Sequence, residues 1–355
     1  MQLITMFSTS VWWLSLVTLT AADYVTWPGC PLATVKRIIQ PNTPDPEATI
    51  LDLKECNISH IEYNNFAHPN LELLAISSND ITNLNADVFK SLTQLRSLYL
   101  GYNRIKGKDI PPNIFENTRR LERIGFTGNN MTGTPQILLQ GLDSLGTLWL
   151  DNCSLQEVPF FAAHKSLKQL YLYDNQIKTL DNPDKCIWLQ NLVKLHLYNN
   201  LIEFIHEDFF RPLINIENID ISRNKIRYLP DKLFTNLTSL RTVNLEKNRI
   251  EYVTLESFSG CRNLSHINLS YNKLTFLPLN FVCQFGRLEY LYFERNPWQC
   301  ACLNDILIEV KSKAVQYRDI DNKGSSAACI AVDFRCHRLK DVHRELFDSI
   351  IQDSV

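Results

Sequence analysis

The sequence predicts an α/β solenoid: a right-handed horseshoe with a parallel sheet lining its concave side and irregular or short helical segments on its convex side. Three observations predict it. An eleven-residue phrase, clearest as Leu167-Lys-Gln-Leu-Tyr-Leu-Tyr-Asp-Asn-Gln-Ile177, sets apolar residues at positions 1, 4, 6 and 11 and Asn175 at position 9. Its Leu170-x-Leu172 alternation sends two side chains to one face and Tyr171 to the other, which is the periodicity of a strand. The phrase then recurs, with its ninth position at Cys56, Asn79, Asn103, Asn129, Cys153, Asn175, Asn200, Asn224, Asn248, Asn272 and Asn296. Successive spacings run 23, 24, 26, 24, 22, 25, 24, 24, 24 and 24. One such unit cannot bury its own leucines, but a stack of them shares a continuous core.

Taken in order, the chain opens with a segment, 1–22, that carries no charged side chain. Its apolar run Val11 to Leu19 precedes the small residues Thr20, Ala21 and Ala22. This reads as a secretory signal peptide cut near Ala21 or Ala22, although a basic n-region is missing and an uncleaved anchor is the alternative. No later stretch is long and apolar enough to span a bilayer. Residues 23–47 are Pro-rich and irregular and are expected to cap the open N-terminal end. A Cys30–Cys56 bridge would pin that cap to the first repeat.

Residues 48–295 hold about ten to eleven repeats. The inward positions build the core. The Asn column reads as structural, because an inward amide can pair backbone groups left open where the chain turns off the strand. Cys153 reads as a buried stand-in for that Asn. A Phe ten residues after the Asn, at Phe89, Phe210, Phe234 and Phe258, reads as a convex-side spine. The pattern L-x-x-L-x-L-x-x-N-x-[I/L] resembles that of leucine-rich repeat proteins, and the period near 24 resembles their extracellular class.

The array ends in Asn296-Pro-Trp-Gln-Cys300-Ala-Cys302, with Cys329 and Cys336 following. Residues 296–336 are similar to the cysteine-rich C-terminal cap of those proteins, and the resemblance implies Cys300–Cys329 and Cys302–Cys336. Spacing alone allows three connectivities. Cys261 and Cys283 stand in neighbouring convex slots one repeat apart, so a bridge between them is expected; Cys153 and Cys186 read as free and buried. In the tail, 337–355, Leu339, Val342, Leu346 and Ile350 have the spacing of a short amphipathic helix.

The ten cysteines, the leader and six sequons, at Asn57, Asn130, Asn152, Asn236, Asn263 and Asn268, together point to a secreted, disulfide-bonded glycoprotein. A net charge of −2 gives no electrostatic case for nucleic acid or a membrane surface. No catalytic motif is present, and the eight histidines have no ligand spacing. Neither a cofactor nor a metal is expected. Asp319-Ile-Asp-Asn-Lys-Gly324 begins like a calcium loop but lacks the closing acidic ligand.

What remains is an outward-facing surface. Positions 5 to 8 of the middle repeats set Tyr99, Tyr102, Trp149, Tyr171, Tyr173, His196 and Tyr198 on the concave sheet. Tyr and Trp clusters are typical interface anchors. Later strands change to mixed charge, with Glu217, Asp220, Arg223, Arg241, Glu246 and Lys247 reading as a solvated face. The expected function is non-enzymatic recognition of an extracellular protein, or a glycan, through this face. The layout resembles secreted insect leucine-rich immune proteins of the type lacking a coiled coil, which implies a role in innate immunity. It also implies a complement-like partner or another repeat protein, although the missing heptad segment weakens both that partner and disulfide-linked dimerisation. The alternative is an adhesion or matrix protein acting by self-association or cell-surface binding.

Overall fold

The structure is a computed structural model that describes residues 49–61, 66, 68–162 and 164–318, with the short segments 25–26, 329–330 and 335–336. The signal peptide (1–22), Cys30, the loop 319–324 and the tail helix expected over 337–355 lie outside the described residues.

Among the described residues, twelve short strands form one parallel sheet in unbroken chain order, from Val25–Thr26 and Ile50–Asp52 to His266–Asn268 and Tyr290–Tyr292. Equivalent phrase positions stand side by side. Thus Leu148 pairs with Leu170, and Leu170 with Leu195. The inward residues of the phrase, Leu167, Leu170, Leu172 and Ile177, are all 0% exposed. Each contributes about 1.5–3 kcal/mol of transfer free energy, and repetition along the stack makes this the main stabilising term. The convex side is made of turns and short 3-10 segments, such as Gly107–Asp109 and Glu256–Phe258. Behind the leucines run stacked phenylalanines, with Phe210, Phe234 and Phe258 at ring separations of 5.6 and 5.2 Å.

The Asn column works as a ladder between repeats. Asn175 Oδ1 accepts the backbone N–H groups of Cys153 (2.9 Å) and Leu155 (3.0 Å) in the preceding repeat. Its Nδ2 donates to the carbonyls of Leu150, Leu172 and Tyr173. Asn79, Asn103, Asn200 and Asn248 repeat the arrangement. Cys153 is buried and free, and its thiol donates to the carbonyls of Phe126 and Asp151. A thiol accepts poorly, so the N–H of Met131 goes instead to the backbone carbonyl of Cys153.

One regularity was not visible in the sequence. The residue before each ladder position has a left-handed backbone, at Glu55, Ser78, Tyr102, Gly128, Asn152, Asp174, Asn199, Arg223, Lys247, Tyr271 and Arg295. Few of these residue types favour that conformation. The ladder bonds on one side and the strand pairing on the other hold it in place.

The C-terminal end is closed by the helix Cys300–Ser312, which buries Cys302, Leu303, Ile306 and Val310 over the last leucines. Their spacing is helical, so the signal was in the sequence and went unread. The Glu309 carboxylate accepts the N–H groups of Asn280 (2.8 Å) and Val282 (2.9 Å), tying the helix to the last convex turn. The bridges Cys300–Cys329 and Cys302–Cys336 are both present. Cys56 is disulfide-bonded, and its expected partner Cys30 is outside the described residues.

The expected Cys261–Cys283 bridge is not formed. Cys261 keeps the inward leucine slot, where its thiol donates to the Phe234 carbonyl at 3.0 Å, whereas Cys283 is exposed. In the turn that carries Cys283, Phe281, Val282 and Phe285 take the inward places. Cys283 would have to displace one of them to reach Cys261. Cys186 is buried and free.

Candidate functional site

The strands leave the fifth and seventh phrase positions on the concave face, and in the middle repeats six of these positions carry rings: Tyr99, Trp149, Tyr171 and His196 at the fifth, Tyr173 and Tyr198 at the seventh. Parallel pairing puts equivalent residues about 4.8 Å apart, close to the separation of stacked rings. Trp149 stacks on Tyr171 at 5.6 Å and 7°, and Tyr171 stacks on His196 at 4.8 Å and 6°. Beside this row, Tyr173 stacks on Tyr198 at 4.5 Å and 6°. Tyr171 and Tyr173 meet edge to face at 6.4 Å, joining the two rows. Tyr99 meets Trp149 at 5.9 Å although another strand lies between them. The residue between is Gly125, and a Cβ there would stand 3.3 Å from the Tyr99 ring and 3.9 Å from the Trp149 ring.

The structure therefore brings six of the seven candidate residues into one continuous ladder of half-buried rings. The seventh, Tyr102, stands apart as an exposed ring (55%) lying across Gly128, where a Cβ would come within 2.7 Å of it. The Tyr171 hydroxyl donates to Gln169 Oε1 at 2.8 Å, which fixes one end of that side chain.

Electrostatics add two residues that the sequence reading passed over. Asp151 follows Trp149 by two positions and is 2% exposed. Thr127 Oγ1 donates to it at 3.0 Å, and the nearby Tyr173 hydroxyl also favours its charged form. Burial nonetheless outweighs these effects and raises its carboxyl pKa. Asp174, at the next turn, is exposed and accepts the side-chain amide of Asn199. Burial and the Asp151 carboxylate raise the phenol of Tyr173, and burial with Asp174, Asp151 and Asp220 pushes Tyr198 up to about 12. Burial lowers the pKa of His196, so it stacks on Tyr171 as a neutral ring at neutral pH. A column-by-column reading of positions 7 and 8 would have placed both aspartates beside the rings, but not the burial of Asp151.

The charged strands further on pair internally. Arg241 meets Glu217 at 3.4 Å and Lys247 meets Glu246 at 3.4 Å. Asp220 accepts from the backbone and hydroxyl of Ser222 and from Asn244. Of the sequons, Asn57, Asn130, Asn152 and Asn236 are exposed, while Asn263 and Asn268 are half-buried. Asn268 Oδ1 accepts the N–H and hydroxyl of Ser270. Among the described residues, no group of three or more His, Cys, Asp or Glu side chains is placed to hold a metal ion, and no helix is long and apolar enough to cross a membrane.

A leucine rich repeat family model matches residues 46–105, 190–250 and 238–297. Lumican of Homo sapiens is 28% identical over 184 residues, 48% of this chain and 52% of that protein. Lumican of Oryctolagus cuniculus is 30% identical over 158 residues, 42% of this chain and 79% of that one. Fibromodulin of Gallus gallus is 26% identical over 177 residues, 44% and 46% of the two chains. The chain thus spans about half the length of human lumican and of fibromodulin. A chain from the octameric complex of Latrophilin 3, Unc5D and FLRT2 superposes with a TM-score of 0.69 at 19% identity, covering 80% of this chain and 90% of that chain. A chain from the LRIM1/APL1C complex gives 0.59 at 19% identity, covering 87% and 63%. At such identities the likeness is one of fold.

Proposed function

This chain belongs to the leucine-rich repeat proteins, and we propose that it is a secreted, non-enzymatic recognition protein that holds a protein partner against its concave aromatic face. One observation carries the reading. The rings of Tyr99, Trp149, Tyr171, Tyr173, His196 and Tyr198 are in continuous contact on the sheet face turned away from the leucine core, where no core packing requires them. Each ring pair is worth about 0.5–1.5 kcal/mol beyond area burial. Rings already ordered by their neighbours lose little freedom on binding, which is what an interface anchor needs. Disulfides at the C-terminal cap support an oxidising, extracellular location.

The test is the double substitution Trp149→Ala with Tyr171→Ala. Both side chains project from the sheet, so the leucine core is left intact. The expected result is loss of a partner pulled down from native extracellular fluid, with an unchanged far-UV circular dichroism spectrum. Pull-downs identical to those of the unsubstituted protein would refute the concave site.

Two biological settings fit such a surface. The overall layout supports innate immunity, for which the circulating level should rise after pathogen challenge. The sequence relatives lumican and fibromodulin support a matrix or adhesion role instead. That role predicts self-association or cell-surface binding, with more than about 1,000 Å² buried per complex, measurable by sedimentation.

A further inference from the structure

The edge along which the chain leaves the concave sheet changes character in the last repeats. Residues 223–227 read Arg-Asn-Lys-Ile-Arg, 247–251 read Lys-Asn-Arg-Ile-Glu, 271–275 read Tyr-Asn-Lys-Leu-Thr, and Arg295 precedes Asn296. In each, the Asn and the following Ile or Leu are buried, so the alternate positions, rich in Arg and Lys, face outward. Backbone bonds set these rows side by side. The N–H of Arg223 donates to the Glu246 carbonyl and that of Lys247 to Ser270, while those of Arg249 and Lys273 donate back to Ile226 and Ile250. At the spacing of parallel strands, the rows make a band about 14 Å long. Lys225 pairs with Glu203 at 3.6 Å and Lys247 with Glu246 at 3.4 Å. Among the described residues, the guanidinium groups of Arg223, Arg227, Arg249 and Arg295 have no carboxylate within ion-pair distance.

Neither the fold nor local pairing asks for this charge. Position 8 has a left-handed backbone, at φ 53° for Arg223, 54° for Lys247 and 57° for Arg295, and elsewhere the chain fills it with Gly128, Asn152 or Asn199, which suit it better. Like charges side by side on neighbouring strands are unfavourable until something neutralises them. The same columns at 128–132 and 152–156 are uncharged, and the exposed sequons Asn130 and Asn152 stand in them. The whole chain has a net charge of −2, so the excess is local. We infer that this band, the four unpaired arginines with the lysines between them, binds a linear sulfated polysaccharide. A chain of repeated anions matches a row of cations better than a single anion does, and the paired N–H groups of a guanidinium chelate the oxygens of an oxyanion. Tyr228, 53% exposed and 6.0 Å from the Tyr252 ring, borders the band and gives the sugar rings an apolar face. The inference concerns a surface apart from the ring ladder and shares with the proposed function only the extracellular location.

The experiment titrates the full chain, at about 0.15 M ionic strength, against three fluorescent probes of equal length followed by anisotropy: a heparin oligosaccharide, its desulfated and N-acetylated counterpart, and an oligothymidylate. The expected result is saturable binding of the heparin probe that weakens as salt rises, with the other two bound far more weakly. Arg227→Gln/Arg249→Gln keeps the side-chain stems at positions of ordinary backbone and should weaken heparin binding about tenfold. Arg119→Gln/Arg120→Gln removes the same charge from exposed residues outside the band and should change it less than about twofold. Absence of saturable binding, equal binding of the desulfated probe, or equal weakening by the two pairs of substitutions would overturn the inference. Oligothymidylate bound as tightly as heparin would assign the band to nucleic acid instead. Trp149→Ala/Tyr171→Ala should leave heparin binding unchanged whether or not it abolishes partner capture; a loss there would move the polysaccharide to the ring ladder and sink the band.

Discussion

The ladder of asparagines makes a quantitative prediction about two residues that look equivalent in sequence. In Asn175→Ala, the backbone N–H groups of Cys153 and Leu155 lose the acceptor they share, and the carbonyl of Leu150 loses its donor. None of the three has another partner, because the previous ladder position is Cys153, whose thiol donates to Phe126 and Asp151 instead. In Asn200→Ala the losses are smaller. Only the N–H of Ile177 is orphaned. The carbonyl of Leu172 keeps Asn175, that of Leu197 keeps Asn224, and that of Tyr198 keeps the N–H of Asp174. A buried backbone group left unpaired costs about 1–3 kcal/mol. Asn175→Ala should therefore cost roughly 3–9 kcal/mol and Asn200→Ala roughly 1–3 kcal/mol, before local relaxation reduces both. Urea unfolding of the two variants, followed by far-UV circular dichroism, measures the difference through the midpoint and slope. If Asn200→Ala were as damaging as Asn175→Ala, the ladder would not be distributing hydrogen bonds as described.

Two further predictions follow from side-chain environment. Burial lowers the pKa of His196 below its ordinary 6.5, so the unfolded chain binds more protons than the folded chain as pH falls through 6.5. Stability should decline over that range and level off below the lowered folded value, and His196→Phe, which keeps a ring against Tyr171, should flatten the part of the acid slope due to this residue in thermal melts between pH 7.5 and 5. Of the four cysteines that are free among the described residues, Cys153, Cys186 and Cys261 are buried with thiols pushed up to about 12, and Cys283 is exposed. Native protein should yield one thiol that reacts quickly with Ellman's reagent, removed by Cys283→Ser, and the other three should react only after unfolding; the absence of any fast thiol would restore the Cys261–Cys283 bridge.

The fold was legible because its determinants repeat. A single Leu-x-Leu means little, but the Asn column at a period near 24 admits few structures. The left-handed position before each Asn was hidden for the converse reason. Tyr102, Arg223, Lys247 and Arg295 are ordinary surface residues whose backbone is set by neighbouring bonds, not by their own preference. Cys261 and Cys283 were misjudged because slot spacing does not report direction; one side chain turns inward and the other outward. Asp151 escaped notice because its significance depends on burial, and nothing in Leu150-Asp-Asn-Cys153 says that this carboxylate is covered while Asp174 is not.

The concave ladder itself depends on the arc being stiff. Stacking along a column is geometrically natural where ring follows ring, because strand spacing nearly equals ring spacing. It is not natural between Tyr99 and Trp149, whose strands are separated by a third and lie roughly 10 Å apart. Their rings close to 5.9 Å only by leaning toward each other over Gly125. A glycine is costly in a strand, since it packs nothing and weakens the backbone preference. Here the flanking pairs Ser97–Arg123 and Thr147–Arg123 hold the register on both sides, so the strand survives the missing side chain. The gap lets the aromatic surface reach two repeats further, to Tyr99, where a stack of adjacent rings would have ended at Trp149. Such a surface is ordered before any partner arrives, and the leucine core that makes the arc is what keeps it so.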